Sequence, residues 1–175
     1  MRTLLVGGAR SGKSSLAVEI GIRHDGPVVF VATAEAFDDD LAQRIARHRD
    51  ERPDWPTIEV PVALADAVAG CDPDALVIVD CLTVWVGNLF HHLPSASQRA
   101  DAYTAFETAL GTRAGPTVVV SNEVGLGLHP DTDLGREYRD ELGRLNQRVA
   151  AACDRTLLLV AGRALALSDP WEFLT

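Results

Sequence analysis

A chain of 175 residues with 25 acidic and 16 basic side chains carries a formal charge of -9; the length suits one domain that buries its core without disulfides or a structural metal. The acidic balance argues against a nucleic-acid partner, whose phosphates call for a basic surface, but leaves room for a small anion held by a local basic cluster. Cys71, Cys81 and Cys153 are odd in number, widely spaced and free of any C-x-x-C pair, so they read as reduced thiols rather than zinc or redox ligands.

The first apolar run, in MRTLLVGG, soon meets glycines and charges and is predicted to be a strand rather than a signal peptide. No other run approaches the roughly 20 residues that span a bilayer. One cytoplasmic domain over residues 1–175, with no transmembrane segment, is expected. Directly after the first strand comes GGARSGKS, which fits G-x-x-x-x-G-K-[ST] and precedes a helix predicted over Ser14 to Ile22. In that setting Gly7, Gly8, Ala9, Arg10, Ser11 and Gly12 form a tight turn whose amides face phosphate oxygens, at the positive end of the helix. Lys13 then reaches the β- and γ-phosphates, and Ser14 offers its hydroxyl to magnesium.

A second strand is predicted at Val28 to Thr33 and a helix at Asp39 to Arg49. On that helix Leu41, Ile45 and His48 share a face, Asp38 to Asp40 suit its N-terminal end, and Arg47 and Arg49 suit its C-terminal end. Periodicity alone favours a histidine packed at the end of an apolar stripe. The reactive alternative is a neutral imidazole that attacks the α-phosphate of a nucleoside triphosphate, with Arg44, Arg47, Arg49 and Arg52 as candidates to stabilise the oxygens.

A helix over Ala63 to Ala69 leads to a strand at Ala75 to Cys81, near whose carboxyl end Asp80 opens onto the ligand crevice; it is read as a magnesium ligand, with a simple cap as the alternative. HHLPSASQ, His91 to Gln98, is expected to be an exposed connection, and His91 and His92 lack a third metal ligand nearby. A helix over Gln98 to Leu110 and a strand from Thr117 to Val124 follow. The strand runs into SNEVGLGLHP, which places Asn122 and Glu123 at the crevice, where Glu123 is a candidate to orient magnesium or an acceptor hydroxyl; a plain surface turn is the alternative. The helix over Leu134 to Ala152 buries Tyr138, Leu142, Leu145 and Val149 and aligns Arg136, Arg139, Gly143 and Asn146 on an adjacent polar face, which either meets water or faces substrate. The last predicted strand is Thr156 to Gly162.

The strand runs are continuously apolar, as burial on both sheet faces requires, and they alternate with helices. The expected fold is α/β and P-loop NTPase-like, with a mostly parallel central sheet, helices on both faces, and an antiparallel edge near the C-terminus left open. These residues indicate phosphate chemistry but leave an NTPase, a small-molecule kinase and a nucleotide-binding switch all open.

Together, GGARSGKS, VATAEAFDDDLAQRIARHRDERP, VIVDCLTVWVGNL and SNEVGLGLHPDTDLGREYRDELGRLNQRVAAACD resemble the bifunctional adenosylcobinamide kinase/adenosylcobinamide-phosphate guanylyltransferase family of cobalamin biosynthesis. The resemblance implies phosphorylation of the aminopropanol hydroxyl of adenosylcobinamide from ATP or GTP. It also implies transfer of GMP from GTP, through a guanylyl-histidine, to adenosylcobinamide phosphate. The family's R-I-x-x-H-R histidine falls on His48, its phosphate-binding segment on Gly12, Lys13 and Ser14, and its acidic strand-end residue on Asp80. It further implies a homotrimer with nucleotide sites near subunit boundaries, while Mg2+ is expected from the phosphate loop and Asp80. At the C-terminus, Gly162-Arg163-Ala164 stands where family members often have glycine, a variable residue and proline. A single-function kinase and a non-catalytic nucleotide-binding protein are the rival readings.

Overall fold

The computed structural model describes residues 1–35, 49 and 52–174. In chain order its strands and helices are β1 (Arg2–Gly7), α1 (Lys13–Ile22), β2 (Val28–Ala32), β3 (Thr57–Glu59), α2 (Leu64–Ala69), β4 (Leu76–Asp80), α3 (Leu82–His92), α4 (Ala96–Thr112), β5 (Thr117–Val120), α5 (Asp133–Ala152), β6 (Arg155–Val160) and β7 (Arg163–Leu167). Among the described residues the strands form one sheet in the order β3-β2-β4-β5-β1-β6-β7. All neighbours run parallel except β6 and β7, which form the antiparallel edge.

The central strands β1, β2, β4 and β5 are continuously apolar because alternate side chains feed two cores. Leu4, Val77, Val79 and Val119 face a large core with α2, α3, α4 and α5, built around Trp85, Phe106, Leu142 and Leu145. Leu5, Ile78, Val118 and Val120 face a smaller one with Ala17 of α1 and the partly buried Trp55.

Three elements differ from the expectation. Residues 82–92 form α3, which takes in His91 and His92, while α4 begins at Ala96, so little of HHLPSASQ remains a connection. The helix was hidden because LTVWVGNL continues the apolar run of β4; only in three dimensions do Leu82, Trp85, Val86 and Leu89 resolve into one buried helical face. The three-residue β3 carries no pattern of its own and exists through its pairing with β2, beginning at Phe30 and Thr57. At the other edge, Ala161 and Gly162 both take positive φ, 50° and 72°, and turn the chain into β7. Such a two-residue turn matches the twist of an antiparallel pair.

A buried charge network ties α4 to α5. Arg99, 3% exposed, gives Glu141 two bonds of 3.0 and 2.8 Å, binds Glu137 at 2.5 Å, and caps the carbonyls of Leu93 and Pro94. Its guanidinium lies over the Phe90 ring, and the Tyr103 hydroxyl donates to Glu141 at 2.7 Å. Burial alone would raise the Glu141 carboxyl, but the bonds from Arg99 and Tyr103 outweigh it and hold the group below its ordinary value. A carboxylate depressed in the fold contributes stability above the pH where free glutamates titrate, and that contribution is lost as pH falls through the lowered value. Arg99→Met, which strands Glu141, is expected to cost about 3 kcal/mol in urea unfolding at neutral pH. Glu141→Gln should flatten the acid limb of the stability curve, because the lowered carboxylate is no longer there to be protonated as pH falls below the ordinary glutamate range.

Candidate phosphate and nucleotide site

The site begins where β1 stops. Gly7 has φ of 152°, and a Cβ there would sit 2.3 Å from the Leu159 carbonyl oxygen, so only glycine lets the loop turn off the sheet beside β6. Arg10 has φ of 57° and Gly12 φ of 101°, which brings the chain round onto the first turn of α1. The hairpin turn braces the loop from behind, the Gly162 N–H donating to the Ser11 carbonyl at 2.9 Å.

Lys13 is drawn into this loop rather than out to solvent. Its ammonium donates to the Gly7 and Gly8 carbonyls at 3.0 and 2.7 Å, with a longer contact of 3.4 Å to Ser11 Oγ. Burial lowers its pKa, and the neighbouring Cys81 and Asp80 oppose that shift. Asp80 ends β4, separated from β1 only by β5, and is half-buried, as is Ser14. A hydroxyl and a carboxylate are hard oxygen donors, suited to a magnesium ion that keeps several oxygens from water or phosphate. Among the described residues there is no cluster of three or more histidines, cysteines and acids that would make a closed metal cage. His92 is instead bonded to Glu35 at 2.8 Å, its ring edge-on to His91.

The third side is cationic. Arg49, Arg52, Pro53, Asp54, Trp55 and Thr57 line a cleft of about 270 Å3. Arg52 stacks 3.6 Å above the Phe30 ring and donates to Thr57 Oγ1 at 2.9 Å. Burial first, then the charge of Arg49, lowers its pKa, while Asp80 and Glu59 oppose the shift. Arg52 therefore lies within electrostatic reach of Asp80. His48 and most of the helix expected over Asp39 to Arg49 lie outside the described residues.

The loop after β5 closes the fourth side. The Glu123 N–H donates to the Gly7 carbonyl at 3.1 Å, while its carboxylate accepts from the Gly125 N–H and caps a short 3-10 turn, Val124–Leu126. Asn146, expected on the polar face of its helix, is 6% exposed. It accepts from Ser121 Oγ at 2.6 Å and donates to the Asn122 carbonyl at 3.0 Å, which pins this loop to α5. Two further buried polar residues, Thr33 and Asn88, escaped sequence reasoning because each sits inside an apolar run whose partners are remote in sequence.

A phosphate-binding loop between β1 and α1, with an acid at the end of a parallel strand one place removed, defines a P-loop nucleotide-binding protein. Solved structures agree at the level of fold. An ATPase from a bacterial type III secretion system superimposes with TM-score 0.60 at 12% identity, over 91% of this chain and 51% of that one. A Pyrococcus horikoshii OT3 protein gives 0.58 at 9% identity, over 94% and 84%. At the level of sequence, the family described as cobinamide kinase / cobinamide phosphate guanyltransferase matches residues 3–167, and the chain belongs to that family. Bifunctional adenosylcobalamin biosynthesis protein CobP of Pseudomonas aeruginosa is 42% identical over 95% of this chain and 97% of its own length. The proteins named CobU from Salmonella typhimurium and Escherichia coli are 38% and 36% identical, each match covering 93% of this chain and 97% of the relative.

Proposed function

We propose that this chain, acting as one domain, phosphorylates the aminopropanol hydroxyl of adenosylcobinamide with ATP or GTP and then transfers GMP from GTP to the resulting phosphate ester, giving adenosylcobinamide-GDP. What supports the reading is the buried Lys13 loop, with Asp80 within electrostatic reach of both Lys13 and Arg52, in a chain that belongs to the cobinamide kinase / cobinamide phosphate guanyltransferase family. In the first reaction Lys13 leaves its loop carbonyls to hold the β- and γ-phosphate oxygens, together with the amides of Gly8 to Gly12, while Glu123 orients the acceptor hydroxyl. Ser14 and Asp80 would hold Mg2+, which offsets phosphate charge when bound. In the second reaction a neutral His48 nitrogen bonds to the α-phosphorus and pyrophosphate leaves with the bridging oxygen. An oxygen of adenosylcobinamide phosphate then displaces histidine from that phosphorus. Arg49 and Arg52 stabilise the phosphate oxygens that gain charge.

Chromatography of a reaction containing adenosylcobinamide, ATP and GTP tests this directly: the phosphate ester should appear first and the GDP derivative second. A product that stops at the ester would leave a single-function kinase, and no corrinoid product would leave a nucleotide-binding protein.

The reading includes a cytoplasmic homotrimer. The support for the trimer is an exposed apolar C-terminal surface among the described residues: Val160, Leu165, Trp171, Phe173 and Leu174 are each more than 60% exposed, along the antiparallel edge and the turn beyond it. Leu165→Glu is expected to convert a trimer to monomer in light scattering; a trimer that survives the substitution would place the interface elsewhere.

A further inference from the structure

We infer that Thr33 is a positioning residue for the Asp80 carboxylate, fixing it for magnesium from the neighbouring strand. The inference rests on the proposed metal role of Asp80. Thr33 follows β2 immediately and is fully buried. Its N–H donates to the Asp80 carbonyl at 3.2 Å, continuing the ladder in which Ala32 pairs with Asp80. Its hydroxyl then works twice on the next residue: it accepts from the Cys81 N–H at 2.9 Å and donates to the Cys81 carbonyl at 2.8 Å.

Both peptide groups that follow Asp80 and Cys81 are therefore held by one side chain, and the backbone that aims the Asp80 carboxylate has little freedom left. The Cys81 carbonyl also accepts the first helical bond of α3, from the Trp85 N–H at 3.1 Å. Asn88, 2% exposed and two turns along α3, donates back to the Thr33 carbonyl at 2.7 Å and to the Pro61 carbonyl at 3.1 Å. The bonds close a ring: Thr33 holds the joint after Asp80, that joint starts α3, and α3 holds Thr33. A buried hydroxyl with its donor and an acceptor site both engaged is a fixed strut, since no water competes for it.

The test measures the dissociation constant of a fluorescent GTP analogue with and without Mg2+, for the wild-type enzyme, Thr33→Val, Thr33→Ser and Asp80→Asn. The gain in affinity on adding Mg2+ is a ratio taken on the folded fraction, so lost stability alone does not move it. Thr33→Val keeps the shape but removes the hydroxyl and should reduce that gain about tenfold, as loss of a residue that orients a metal ligand does. Its affinity without Mg2+ should stay close to wild type, and Thr33→Ser should restore the gain. Where Thr33→Val yields no folded protein, Asn88→Ser loosens the same ring and should reduce the gain in the same direction. A Thr33→Val enzyme with the full magnesium gain overturns the inference. An Asp80→Asn enzyme with the full gain would overturn the metal role of Asp80 itself.

Discussion

Replacing Lys13 by alanine is expected to lower both phosphoryl transfer and guanylyl transfer by about 10²- to 10³-fold, the usual cost of removing one preorganised charge from a phosphate site. The reason lies in the loop. Lys13 spends its ammonium on the Gly7 and Gly8 carbonyls, so it is already confined where the phosphates of either nucleotide would meet it. Initial rates of both reactions, with folding checked by urea unfolding, measure the effect; a variant that keeps either rate would place that reaction's phosphates away from this loop.

Loss of His48 should separate the two reactions. His48→Ala is expected to abolish guanylyl transfer while leaving the kinase rate within about threefold of wild type, because only the second reaction passes through a bond to histidine. Kinase measured with ATP and transfer measured with GTP and the phosphate ester supply the comparison. Equal loss of both rates in a folded variant would contradict this division of labour.

The parts of the fold that could be read from sequence are those where one residue type answers one physical demand. The run LLV in β1 is apolar throughout because Leu4 and Leu5 enter opposite cores. Gly7 and Gly12 are legible because the backbone there takes positive φ. The antiparallel edge that the sequence left open is present as β6 and β7. What could not be read depends on partners remote in the chain. Arg99 sits on a helix beside the exposed Asp101, and Glu137 and Glu141 on α5 make its burial tolerable. Asn146 fits a polar stripe by spacing, yet Ser121 and the Asn122 carbonyl draw it inside. Thr33 and Asn88 are polar exceptions in apolar runs, a signal that sequence reading can register without saying what they hold. Arg52 was legible as a cation but not as one stacked on Phe30.

The measurement that bears most directly on the two-reaction account is to incubate the enzyme with GTP labelled at the α-phosphate and map the labelled peptide. An acid-labile GMP adduct on His48, discharged by adenosylcobinamide phosphate to the GDP product, is the predicted result. Efficient formation of that product with no label retained by the protein, or with label on a residue other than His48, would contradict it.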